Sequence, residues 1–208
     1  MRYALLVALS AALTTSFASA QSPGAAEEPE DNAEIAVDAE VMASRAAAQK
    51  FGKTLKEALQ QAIKVGGPAN GVTVCHDQAD QIAARLSEEL EMLVGRTSLK
   101  VRNPNHTPDA WETAVLKQFE ARKAQGESVD RLEFFAVIDD DQGQQTFRYM
   151  KAIPTAGLCL NCHGEKIAPE VDAELKKLYP YDQARGFREG DLRGAFTIAK
   201  PLPQKETP

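Results

Sequence analysis

Cys159-Leu160-Asn161-Cys162-His163 puts two thiols on one turn of chain, with an imidazole beside the second. Thiols at that spacing can form thioethers with the two vinyl groups of a haem. The adjacent imidazole can then turn onto the iron as proximal ligand, which makes C-x-x-C-H the attachment sequence of a c-type haem. One such motif implies one covalent haem.

Three rival chemistries use the same atoms. A thioredoxin-like dithiol also uses C-x-x-C, but it requires a βαβ setting that the surrounding sequence lacks. Zinc could in principle be held by Cys75, Cys159, Cys162 and His163, although neighbours such as Cys162 and His163 share one tetrahedral ion with difficulty. A disulfide between Cys159 and Cys162 would close a strained ring.

The sixth coordination position of such a haem decides much of its chemistry. Outside the motif the candidates are Cys75, His76, His106, Met42, Met92 and Met150. Met42 and Met92 fall on apolar helical faces and Met150 in a strand, so core packing is expected of all three. His106 lies in a polar turn, where a solvated side chain is expected. The chain holds three cysteines, so Cys75 is left over once the motif takes two. A leftover cysteine in an exported protein is reactive, pairs between chains, binds metal or is a small apolar core residue. On a helix, Cys75 and His76 point about 100° apart, so only one of them can face a given site.

The elements that position these residues are read from periodicity. Met42, Ala48, Phe51, Leu55, Leu59 and Ile63 recur at three- and four-residue intervals, predicting a helix over 34–64 that Gly66-Gly67-Pro68 ends. A second helix is predicted from Cys75 to Met92, and a third from an N-cap at Thr107 with Pro108 in its first turn. Short strands are predicted at 95–101, 132–138, 146–153 and 194–199, with a helix at 169–178. Asp139 to Gly143 reads as a hairpin turn; it lacks the alternating carboxylates and distal glutamate of a calcium loop. Long helices followed by a small antiparallel sheet predict an α+β domain.

Residues 1–20 carry Arg2, an apolar run and Ala18-Ser19-Ala20, the pattern of a cleaved secretory signal. The run is too short to span a bilayer, and no other stretch is long and charge-free enough. Residues 21–33 are expected to be a disordered acidic leader, 34–200 the domain, and 201–208 a polar tail. Periplasmic or other bacterial export follows, which is where haem c is attached. The formal net charge is −6, and cleavage would also remove Arg2. With no dense basic stretch, nucleic acid and anionic membrane surfaces are poor candidates as partners, and no nucleic-acid partner is expected.

Taken together, Cys75, then Gly95-Arg96-Thr97-Ser98-Leu99-Lys100, Arg102-Asn103-Pro104-Asn105, Pro108-Asp109-x-Trp111-Glu112, Cys159-Leu160-x-Cys162-His163-Gly164 and Gly190-Asp191-x-x-Gly194-Ala195 resemble the PAS-like haem c domain family, formerly a domain of unknown function. The resemblance runs from about residue 35 to 200. It implies a PAS-like antiparallel sheet flanked by helices and one covalent haem with His/Cys axial ligation. His163 matches the proximal histidine and Cys75 the axial cysteine. His76 departs from the small polar residue expected there, which leaves a ligand switch between neighbours open.

A thiolate ligand would stabilise ferric iron and lower the potential relative to His/Met ligation. If reduction weakens that bond, a gas such as CO or NO can enter, so a redox or gas sensor and a free-standing electron carrier are both expected readings. No output domain is expected after 34–200, so a sensor would be expected to act through a redox or signalling protein partner. A haem enzyme would need a positioned acid or base at an open site; no paired constellation is visible, and none is assigned. Arg96, Arg102, Arg148, Tyr149 and Lys151 suit haem propionates chemically, but a solvated strand surface is the expectation for each.

Overall fold

In the computed structural model, residues 29–139 and 143–203 are described, with side chains from residue 37 onward. The elements follow as α1 (Pro29–Leu90), β1 (Leu93–Thr97), a 3-10 turn (Pro104–His106), α2 (Ala110–Ala124), a 3-10 turn (Val129–Arg131), β2 (Glu133–Asp139), β3 (Gln145–Pro154), a 3-10 turn (Gly157–Cys159), α3 (Leu160–His163), α4 (Pro169–Leu178) and β4 (Leu192–Pro201). The predicted signal, most of the leader and the end of the tail lie outside the described residues. The helix begins at Pro29, inside the segment read as leader.

Two glycines break α1 into limbs. Gly66 (φ −139, ψ 22) and Gly67 (φ 74, ψ −178) leave the helical region, and Pro68, which needs no backbone donor in a first turn, restarts it. The second limb therefore begins about seven residues before the predicted start at Cys75. It folds back along the first: Asn70 donates to the Ala62 carbonyl at 2.9 Å, and a Cβ on Gly71 would lie 2.9 Å from Leu59 and 3.0 Å from Ile63. Lys50 and Glu89 pair across the limbs.

The sheet is antiparallel throughout, in the order β1-β4-β3-β2. Asp139 pairs with Gln145, so β2 and β3 form the predicted hairpin, whose residues 140–142 lie outside the described ones. One face packs Phe147, Tyr149, Val94 and Ile198 against Phe51, Ala48, Ile82 and Leu86 of α1. The other packs Met150, Ala152 and Ala195 against Val115, Leu116 and Phe119 of α2. A smaller cluster ties Val72 of α1 to Val171, Leu175 and Tyr179 at α4. This is the predicted α+β class: a PAS-like antiparallel sheet flanked by helices, with a long N-terminal helix.

Three local expectations change. The N-cap of α2 is Asp109, not Thr107, because Asp109 and Glu112 close a reciprocal capping box. The first strand is shifted to Leu93–Thr97, leaving 98–101 as a loop. Met42 is 68% exposed rather than in the core, since neighbouring Val41 takes the inward position.

Candidate cofactor site

The short α3 is held from both ends. Cys159 N–H donates to Ala156 O at 2.9 Å and Gly164 N–H to Leu160 O at 3.0 Å, while Phe187 and Gly186 donate to the carbonyls of His163 and Gly164. A Cβ on Gly164 would lie 2.6 Å from the Leu160 carbonyl oxygen, so this tight exit admits only glycine.

The segment borders a cavity of about 390 Å3 between the α1 hairpin, the sheet and α3, a size that suits a small-molecule or prosthetic group. Cys75, Cys159, Cys162 and His163 all line it, although they are distant in sequence. Leu55, Leu59 and Ile63 of the first limb, Val72 of the second and Phe196 of β4 make its walls apolar, and Arg96, Arg102 and Arg193 add charge. All three cysteines are free thiols. Among the described residues, no group of three or more His, Cys, Asp or Glu lies close enough to hold an ion by itself. The four candidate side chains border a volume rather than a point.

His163 is prepared as a donor. Its Nδ1 lies 2.8 Å from the Ala184 carbonyl oxygen, an acceptor only, so Nδ1 carries the proton and Nε2 the lone pair. The polar contact at Nε2 is Arg102 Nη1, at a long 3.4 Å. Burial, reinforced by Arg193, Arg102 and Arg96, pushes the His163 pKa well below its ordinary value. The ring is therefore neutral, the form that binds metals. Burial also raises the thiols of Cys75, against the pull of Arg96, Arg102 and Arg193, and of Cys162, to about 11. Neither thiol is ionised at neutral pH in the absence of a metal or reaction partner.

Of the other candidates, His106 lines the cavity, contrary to the solvated position expected, and its Nε2 lies 2.8 Å from Asp80 Oδ1. His76 does not line it; it stacks edge-on against Tyr179 at 5.3 Å, with Nδ1 2.8 Å from Asp77. Met92 and Met150 are buried in the two sheet cores, and none of Met42, Met92 or Met150 lines the cavity. Among the basic residues considered for propionates, Arg96 and Arg102 reach the cavity whereas Arg148, Tyr149 and Lys151 do not. Arg148 pairs with Asp109 and covers Trp111, and Tyr149 donates to Glu133. Sequence reasoning missed Arg193 and Tyr179, both of which line the cavity.

The chain resembles a known structure and a known family. The crystal structure of the cyanobacterial haem protein Tll0287 matches with a TM-score of 0.55 and 25% identity, covering 86% of this chain and 99% of that one. No curated protein matches at a significant level. The family model Tll0287-like matches residues 20–201. The chain belongs to the Tll0287-like family.

Proposed function

We propose that this chain is an exported mono-haem c-type protein of redox-active or redox- and gas-sensing function, with haem on Cys159 and Cys162 and His163 and Cys75 as axial ligands. The observation that carries the reading is one cavity lined by both thiols of C-x-x-C-H, by a neutral His163 with its lone pair on Nε2, and by the leftover Cys75. The donor set fits haem: two thiols for thioethers, an imidazole whose tautomer is set by Ala184, and apolar walls. The matched structure is that of a haem protein, which supports the same group here. When bound, haem supplies a one-electron iron couple. Around it, Ala184 orients His163, the apolar residues of α1 exclude water, and an anionic Cys75 would favour the ferric state. Among the described residues no helix is long and apolar enough to cross a membrane; the partner we propose is a redox or signalling protein.

A conventional electron-transfer protein with a different sixth ligand is the second reading, and His106 in the cavity wall is the observation that favours it. The test is to mature the chain with haem attachment and compare optical and EPR spectra with those of Cys75→Ala. Low-spin thiolate features that vanish in the variant support the proposal. Identical spectra reject Cys75, and absence of covalent haem rejects the proposal altogether.

A further inference from the structure

Three arginines reach the cavity, and they are not equivalent. Arg102 is neutralised by Asp182, to which its Nε and Nη2 donate at 2.9 and 3.1 Å. Arg96 of β1 and Arg193 of β4 make no guanidinium hydrogen bond or ion pair with any described residue; Arg193 instead lies over the Phe187 ring, 5.3 Å from its centroid. Arg193 is half-buried; burial, with Arg102 and Arg96 nearby, brings its pKa down to about 9. Two cations without a hydrogen-bonded counter-charge beside an apolar wall are a costly arrangement.

The sheet breaks its regularity to produce it. Ile153 pairs with Gly194 and Pro154 with Leu192, so Arg193 has no residue opposite it and forms a β-bulge. Leu192 and Ala195, three positions apart, both pack on the α2 side, so the alternation of β4 slips between them. That slip sends Arg193 to the cavity, on the α1 side. Bulges commonly re-aim a side chain in this way beside functional sites. The bulge also requires Gly194, at φ 157, where a Cβ would lie 2.3 Å from the Thr97 carbonyl oxygen. A lost pairing, an obligatory glycine and a cation that rests on a ring but has no ion-pair partner are together accounted for by an anion in the cavity.

We infer that Arg96 and Arg193 form a carboxylate clamp that binds the two propionates of the haem. The identity of the anion rests on the function proposed above; the clamp itself rests on the bulge and the two unpaired guanidinium groups. Guanidinium suits carboxylate because its planar donors can bind both oxygens, and such pairs strengthen away from water.

The test uses the matured holoprotein and its Arg96→Gln and Arg193→Gln variants, with Arg96→Lys and Arg193→Lys as milder forms where a glutamine variant does not mature. Haem staining after denaturation reports covalent attachment. Resonance Raman spectroscopy reports the propionate bending modes, and redox titration over pH reports whether the propionates titrate with the iron. Expected are retained haem, shifted propionate bands in the substituted proteins, and a new pH-dependent segment of the potential where freed carboxylates protonate. Retained haem with bands and pH profile unchanged in variants at both positions would overturn the clamp. A wild-type chain that matures without haem overturns the proposed function instead, and removes the occupant named here.

Discussion

Arg102 and Asp182 form an ion pair taken almost wholly out of water: Nε lies 2.9 Å from Oδ1, and the Asp182 side chain is 2% exposed. Burial alone would raise the Asp182 pKa, but hydrogen bonds and charge from Arg102 bring it below the ordinary carboxylate value. The same guanidinium donates to the carbonyls of Cys162 at 2.6 Å and Ala184 at 3.1 Å. It thus joins the C-x-x-C-H segment to the loop whose carbonyl orients His163. Arg102→Ala should cost about 1 to 3 kcal/mol: the buried Asp182 loses its bidentate partner but keeps Arg185 at 2.8 Å and the Ala184 N–H at 2.9 Å, and Arg102→Ala with Asp182→Asn should recover part of the loss. Denaturant unfolding of the full chain measures both; a single-variant loss near zero would contradict the pairing.

A second prediction concerns acid. Glu133 is held from its ordinary 4.5 down to about 2, first by hydrogen bonds from Arg45, against opposing burial, with a further hydrogen bond from Tyr149. A depressed carboxylate stabilises the fold above its unfolded pKa and loses that contribution as pH falls through the folded value. The contribution is therefore full above about pH 5 and disappears towards pH 2. Arg45 is 53% exposed, so solvent screening limits it to about 1 kcal/mol. The melting-temperature gap between wild type and Glu133→Gln should narrow on acidification from pH 7 to pH 3. A constant gap would show that Glu133 does not titrate with unfolding.

The sequence makes different parts of this molecule legible for different reasons. The bend of α1 follows from Gly66-Gly67-Pro68, whose φ requirements are local, and α4 falls at the predicted 169–178 because proline marks its start. The thiols and His163 stand out as a motif because the attachment chemistry proposed for them would fix their spacing. Arg193 is not, because alternation along a regular β4 puts it on the α2 face and only the pairing partner reveals the bulge. The nearest signal was Gly194, a glycine inside a strand pattern, which often marks a bulge. His106 looked solvated because its partner Asp80 lies on α1 and its approach depends on tertiary folding.

Gly194 gives the third prediction. The Thr97 carbonyl oxygen leaves no room for a methyl group, and Thr97 sits at the end of β1 beside the cavity. Gly194→Ala should cost about 2 to 3 kcal/mol through overpacking and backbone displacement, whereas Gly126→Ala, at a positive-φ turn with open space around it, should cost about 1 kcal/mol. Parallel thermal melts distinguish the two, and equal losses would show that φ strain rather than the carbonyl contact dominates.

The fourth prediction separates two adjacent side chains. Cys75 lines the cavity, while the His76 side chain is 43% exposed and its ring rests against Tyr179. Successive helical positions diverge by about 100°, so bringing His76 to the iron would require the second limb of α1 to rotate and withdraw Val72 from its cluster with Val171 and Leu175. That packing opposes the exchange between neighbours left open by the sequence. His76→Ala should therefore leave the optical and EPR spectra of both oxidation states unchanged, with at most about 1 kcal/mol lost from the ring contact with Tyr179. Cys75→Ala should change the ferric spectrum. A ferrous spectrum altered by His76→Ala alone would show that the limb does rotate on reduction and would restore His76 as a ligand.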